Sequence, residues 1–211
     1  MALNDFNNIK WLFFDIGSTL VDESKCYERR YLKAIENTDI TYDELLDKVI
    51  AFSRQNKLHY GDHPAIEYFG LELPKWDNDL EYLYDDTSFV LSELSKKYNI
   101  GIIANQSLGT EQRLEKMGIL NYIDLVVASA EEGIAKPNPD IFRIALSKAQ
   151  CDAQSSVMIG DRIDNDIVPA KAVGMRTIWI KQGFAQYQEP KNDFEKADFA
   201  VNELSQLLKI L

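Results

Sequence analysis

Residues 10–20 read KWLFFDIGSTL, and the fold turns on how this stretch is read. Trp11, Leu12, Phe13 and Phe14 make a short apolar run of the kind a buried strand shows. The run stops at Asp15 and gives way to the small, turn-prone Gly17, Ser18 and Thr19. A carboxylate is thereby delivered at the carboxyl end of a strand, the edge of an open α/β sheet that faces the ligand crevice. The same pattern also describes an aspartate that merely starts a turn, so the rest of the chain has to separate the two readings.

Beyond Leu20 the apolar residues fall at three- and four-residue spacing, which predicts helices over 23–37, 42–57, 64–69 and 80–98 and no convincing strand. The stretches LHYGDH (58–63) and LELPKWDND (71–79) carry the Gly, Pro and Asp of loops. From residue 100 the rhythm changes. Strands are expected at 100–104, 124–128, 157–159 and 176–180, separated by helices at 110–117, 139–149 and 166–173, two of them closed by Gly118 and Gly174. Residues 197–211 read as a short strand and a final amphipathic helix. This alternation predicts an α/β fold: a Rossmann-like parallel sheet core with helices on both faces. The first strand is cut off from its partners by about eighty helical residues, which implies an insertion. The expected division is a core of residues 1–20 and 96–211 with a small all-helical cap of residues 21–95.

A chain of 211 residues is long enough for one full core and a small accessory domain. The net charge of −11 argues against nucleic acid or an anionic membrane as partner, because both require a positive footprint. Cys26 and Cys151 lie far apart and form neither a metal-type pair nor a disulfide framework, so free thiols in a reducing compartment are expected. The amino terminus, MALNDFNNIK, has no basic patch followed by an apolar stretch, and no segment approaches a bilayer span. A cytoplasmic location is the expectation; the oligomeric state has no signal in the sequence.

Four places stand just after an expected strand or on the loop beyond it: Asp15, the turn Ala104–Gln106, Lys136–Pro137, and Gly160–Asp161 with Asp164 and Asp166. Strand ends that carry carboxylates, with one lysine nearby, make a hard-oxygen pocket suited to Mg²⁺ and a phosphoryl group. Asn105, Gln106 and Ser107 sit where amide donors and backbone N–H groups ahead of a helix can hold an anion of the substrate, or simply form a polar turn.

Taken together the motifs resemble those of the haloacid dehalogenase-like hydrolase superfamily, the branch with a helical cap inserted after the first strand. FFDIGSTL (13–20) is similar to its first motif, GIIANQ (101–106) to its second, KPNPDIF (136–142) to its third and GDRIDNDIVPAKAVGMRTIWI (160–180) to its fourth. The resemblance implies that Asp15 attacks phosphorus of a small phosphorylated molecule to give an aspartyl-phosphate that water hydrolyses. It implies Mg²⁺ held by Asp15, the Gly17 carbonyl, Asp161 and Asp166, with Lys136 adding positive charge and Thr19 hydrogen-bonding the loop that carries Asp15. Asp164 is expected to cap the following helix and Arg162 to form a surface salt bridge.

Two departures stand out. Phosphatases of this superfamily usually carry a second aspartate two residues after the nucleophile to move the leaving-group proton, and here that residue is Gly17. Positioned acid–base catalysis contributes about 10² to 10⁴ in rate. The Ser or Thr that normally ends the second motif's strand is Ala104, a loss worth about 10² to 10³. Three accounts follow: a good leaving group such as an acyl or aryl phosphate; another proton donor, with Glu23, His59 and His63 as candidates; or a phospho-ligand binder or regulatory protein with weak turnover. Carbon–halogen or phosphonate hydrolysis is a further alternative, the latter calling for a cap lysine such as Lys25 or Lys33. Arg29, Arg30, His59, Tyr60 and Trp76 are candidates for substrate selection, and equally for ordinary helix-face and core roles.

Overall fold

The computed structural model describes residues 6, 8–56 and 63–211. The candidates His59 and Tyr60, and the end of the helix expected to reach residue 57, lie outside the described residues. In chain order the sheet and insertion begin with β1 (Trp11–Phe14), β2 (Val21–Asp22), α1 (Ser24–Ala34), α2 (Tyr42–Arg54), α3 (His63–Tyr68), β3 (Tyr82–Leu83) and α4 (Thr87–Leu94). Alternating units follow: β4 (Asn99–Ala104), α5 (Thr110–Lys116), β5 (Leu125–Ala128), α6 (Ser129–Glu132), α7 (Asp140–Lys148), β6 (Ser156–Gly160), α8 (Val168–Ala172), β7 (Arg176–Ile180) and β8 (Phe199–Val201).

The strands form one six-stranded sheet in the order β5-β4-β1-β6-β7-β8, parallel throughout. From β1 the chain winds toward β4 and β5; from β6, on the other side of β1, it winds toward β7 and β8. The connections therefore diverge between β1 and β6, which opens a crevice at their carboxyl ends. The apolar run that stood out in the sequence fills both faces. Leu12 and Phe14 join Ile100, Ile102, Val157, Ile159 and Ile178 in one cluster. Phe13 turns the other way onto Ile103, Met158 and the α7 residues Ile141, Phe142 and Ala145. This period-two alternation is what strand geometry imposes.

The insertion has its own small core: Tyr31, Leu45, Val49, Ala65 and Ile66, with Phe184 from beyond β7 packed against it. Helix α2 starts on a capping box in which the Thr41 side chain accepts from the Glu44 backbone N–H and the Glu44 carboxylate accepts from the Thr41 N–H. The helix expected over 80–98 is broken. Val21 pairs with Leu83 and Asp22 with Tyr82 in a two-stranded antiparallel ribbon at the root of the insertion. Helix formation resumes at Thr87, whose hydroxyl donates to the Leu20 carbonyl. Helix α4 lies within the span expected for the cap, yet Val90, Leu91 and Leu94 are buried in the sheet's cluster. The tail forms β8 as expected but ends in a 3₁₀ run, Leu204–Lys209, in place of an α-helix. Among the described residues no helix is long and apolar enough to cross a membrane.

Candidate active site

The central pair of strands carries the chemistry. Asp15 follows β1 directly and Asp161 follows β6, so adjacent strands deliver two carboxylates to the same edge. A π-helical turn, Ile163–Ile167, then returns Asp166 to them. Its carboxylate lies so close to β6 that a Cβ at Gly160 would come within 2.5 Å of it, which is why that strand ends in glycine. Ligand atoms of Asp15, Asp161 and Asp166 all lie within 4.8 Å of one another.

Lys136 closes the group. Its ammonium donates to Asp15 at 2.7 Å and to Asp166 at 2.6 Å, with its side chain 1% exposed. Burial pulls its pKa down, but the charges of Asp15 and Asp166 outweigh this and hold it above the ordinary lysine value. Burial drives Asp161 well above the usual carboxylate range, reinforced by the charges of Asp166 and Asp15. Burial likewise raises Asp166 to about 6 despite the opposing pull of Lys136. Three carboxylates face one ammonium, a surplus of two negative charges when all are ionised. An all-oxygen donor set with that surplus fits a hard divalent cation such as Mg²⁺.

The other expected site residues are placed as follows. Asn105 is tied to the backbone of Lys136: its amide donates to the Lys136 carbonyl at 2.8 Å and accepts from the Lys136 N–H at 2.7 Å. It thus positions the lysine. Gln106 lines the same cavity, and its amide oxygen accepts from Arg113 at 2.6 Å. Thr19 is fully buried, but its hydroxyl has no hydrogen-bond partner among the described residues. The tie expected of it is not formed; the loop is closed by backbone bonds from Leu20 and Val21 to the Ile16 carbonyl and from Ser18 to Val21. Asp164 does not cap the following turn. Its carboxylate is taken up instead by Arg162, with which it pairs, and by Gln188, from which it accepts.

Over these groups lies a cavity of about 650 Å³ between the sheet edge and the insertion, with Tyr27, Arg30 and Trp76 on the insertion side. Arg113 bridges the two walls, since it also donates to Glu81 at 3.2 Å, and Glu81 accepts from the Trp76 indole at 2.8 Å. Neither Arg113 nor Glu81 was singled out in the sequence; they lie 32 positions apart and no local pattern joins them. Glu23 also lines the cavity. Burial of its carboxyl end pushes it up to about 8, against the lowering hydrogen bond it receives from Ser18 at 2.9 Å. His63 opens α3, and Lys25 lies over the Tyr82 ring; neither they nor Lys33 line this cavity.

Because the Asn105 side chain satisfies two Lys136 backbone groups, Asn105→Ala is expected to cost about 1 to 3 kcal/mol of stability. Urea titration measures this; an unchanged midpoint would mean that the two bonds contribute nothing to stability.

A parallel sheet whose central strands gather three carboxylates and a buried lysine at one edge is the arrangement of haloacid dehalogenase-like hydrolases. The model of that family matches residues 12–180, and the chain belongs to it. Among its relatives, the glyceraldehyde 3-phosphate phosphatase of Pyrococcus furiosus is 33% identical, over 96% of this chain and 93% of its own. The crystal structure of a HAD phosphatase from Thermococcus onnurineus aligns with a TM-score of 0.66 at 26% identity, covering 96% of this chain and 97% of that one. A 2-haloacid dehalogenase from Pseudomonas syringae pv. Tomato DC3000 shares the fold, with a TM-score of 0.63 at 21% identity over 96% of this chain and 97% of its own.

Proposed function

We propose that this hydrolase is a phosphatase that transfers a phosphoryl group from a small phosphorylated metabolite to Asp15 and then to water. The observation that carries the reading is the meeting of Asp15, Asp161 and Asp166 within 4.8 Å, with Lys136 bonded to two of them. The named activity of the Pyrococcus relative supports the substrate class, and a cavity of about 650 Å³ suits a ligand of that size. Asp15 is the nucleophile, and Lys136 holds it in line while offsetting charge on the incoming phosphoryl oxygens. The residues that would hold Mg²⁺ are Asp15, the Gly17 carbonyl, Asp161 and Asp166, and bound there it supplies further positive charge to those oxygens. Gln106 is a proposed contact for the phosphoryl group through its amide N–H.

Gly17 and Ala104 favour a second reading, a phospho-ligand binder with little turnover. A screen of phosphorylated metabolites and acyl phosphates with Mg²⁺, with Asp15→Asn as blank, separates the two. Phosphate release that depends on Asp15 supports the enzyme; saturable binding without it supports the binder.

The raised carboxyls give a metal test that is independent of turnover. Asp166 titrates at about 6 in the fold against an ordinary 3.8, so its contribution to stability is full below 3.8 and lost as pH rises through about 6. A divalent ion restores what is lost, whereas at lower pH it must displace protons. Mg²⁺ is therefore expected to raise the melting temperature more at about pH 7.5 than at about pH 5. Thermal scans at both values measure it; an equal or reversed increment would contradict the assigned metal site.

A further inference from the structure

Resting on the phosphatase reading above, we propose that Glu23 is the catalytic acid and base of this site, supplying from the insertion the proton-moving carboxyl that position 17 lacks. The geometry is specific. A Cβ built on Gly17 would lie 2.5 Å from Glu23 Oε1, 2.8 Å from its carboxyl carbon and 2.9 Å from Oε2. The Glu23 carboxyl thus fills the space into which a side chain at 17 would project, two residues from Asp15 and in the same cavity.

Its position is not set by capping the helix it precedes. Glu23 stands at the N-cap of α1, where an Asp, Asn, Ser or Thr side chain ordinarily accepts from its own helix. Its side chain makes no such bond. Asp22 does so instead, accepting from the Ser24 N–H at 2.8 Å. Glu23 turns away into the cavity, where the Ser18 hydroxyl donates to it at 2.9 Å. Ser18 itself has a φ of +52°, a region side chains disfavour.

The proposed sequence balances. Asp15 Oδ attacks phosphorus with a lone pair, and the bond from phosphorus to the leaving oxygen breaks with its pair staying on that oxygen. The oxygen takes the Glu23 proton, giving the free alcohol, a phosphorylated Asp15 and the Glu23 carboxylate. Water then attacks phosphorus while Glu23 takes its proton. The bond to Asp15 breaks, releasing inorganic phosphate and restoring both carboxyls to their starting forms.

A proton donor matters most when the leaving group is poor, which sets the test. Glu23→Gln, which keeps the size and a hydrogen-bonding group, is compared with wild type on an alkyl phosphate, glyceraldehyde 3-phosphate, and on para-nitrophenyl phosphate. Transfer from the alkyl ester is expected to fall about 10²-fold, while the pre-steady-state burst of nitrophenolate slows at least about tenfold less. Equal losses on both overturn the inference. Should Glu23→Gln fail to fold, Gly17→Asp combined with Glu23→Ala decides, since removing Glu23 clears the space for the aspartate. At least about tenfold faster alkyl-ester turnover than in Glu23→Ala is expected, and no gain overturns the inference. Wild-type nitrophenolate release that needs Mg²⁺ and Asp15 must be present throughout. Its absence defeats the phosphatase reading itself, and the role of Glu23 with it.

Discussion

Asp15→Asn is expected to lower phosphate release by roughly 10⁴-fold or more, because a carboxamide cannot replace the attacking carboxylate. The substitution is nearly isosteric and sits at the end of β1, between the two strands that pair with it. The fold should therefore survive. Removing one of three clustered negative charges also relieves repulsion, so the melting temperature of the metal-free variant should not fall. Two measurements together carry the prediction: single-turnover phosphate release, and loss of the acid-stable, hydroxylamine-sensitive phosphoprotein that wild type would form. Residual turnover within tenfold of wild type would remove Asp15 from the nucleophile's role.

Lys136→Met is expected to cost both stability and rate. The ammonium is buried and bonded at 2.7 and 2.6 Å to Asp15 and Asp166, so its removal leaves charge uncompensated. Breaking such a pair from one side costs about 3 to 5 kcal/mol, and withdrawing charge stabilisation from the reacting group costs about 10² to 10³ in rate. The stability loss has a defined pH sign. Without the lysine, Asp166 loses the influence that holds it down and its folded-state value rises further above 3.8. The variant's deficit should therefore shrink on acidification toward about pH 5 and widen above neutrality. Denaturant melts of the metal-free proteins across that range test it; a deficit independent of pH would place the role of Lys136 elsewhere.

The parallel core was legible in the sequence because its signals are local. An apolar run that ends at Asp15 or at Gly160–Asp161 is a property of a few consecutive residues, and the order of such runs fixes which strands can neighbour one another. The convergence of residues 15, 136, 161 and 166 follows from strand ends sharing one edge, together with the family motifs that place them. What escaped depends on partners distant in the chain. Leu80, Leu83, Val90, Leu91 and Leu94 have helical spacing, yet Leu83 is claimed by Val21, a pairing that no short window contains. The tie expected of the Thr19 hydroxyl came with the family resemblance, and that of the Asn105 amide with its place ahead of a helix, whereas the contacts they make depend on what tertiary packing sets beside them. Asn105 meets a backbone 31 positions away, and the Thr19 hydroxyl meets no hydrogen-bond partner among the described residues. Glu23 appeared only as one of three proton-donor candidates, since its neighbour Gly17 is marked by a missing side chain.

Phe184, beyond β7, reaches into the small core of the insertion, where it meets Tyr27 edge-on and Tyr31 at a tilt, and its carbonyl accepts from Ser53 at 2.5 Å. The preceding Gly183 stands against Ser18, so close that a Cβ there would lie 2.5 Å from the Ser18 hydroxyl, the group that holds Glu23. An unbroken run of touching atoms therefore connects the aromatic heart of the insertion to the carboxyl above Gly17. A shift of that aromatic cluster relative to the sheet would therefore be felt at this carboxyl, by way of Gly183 and Ser18.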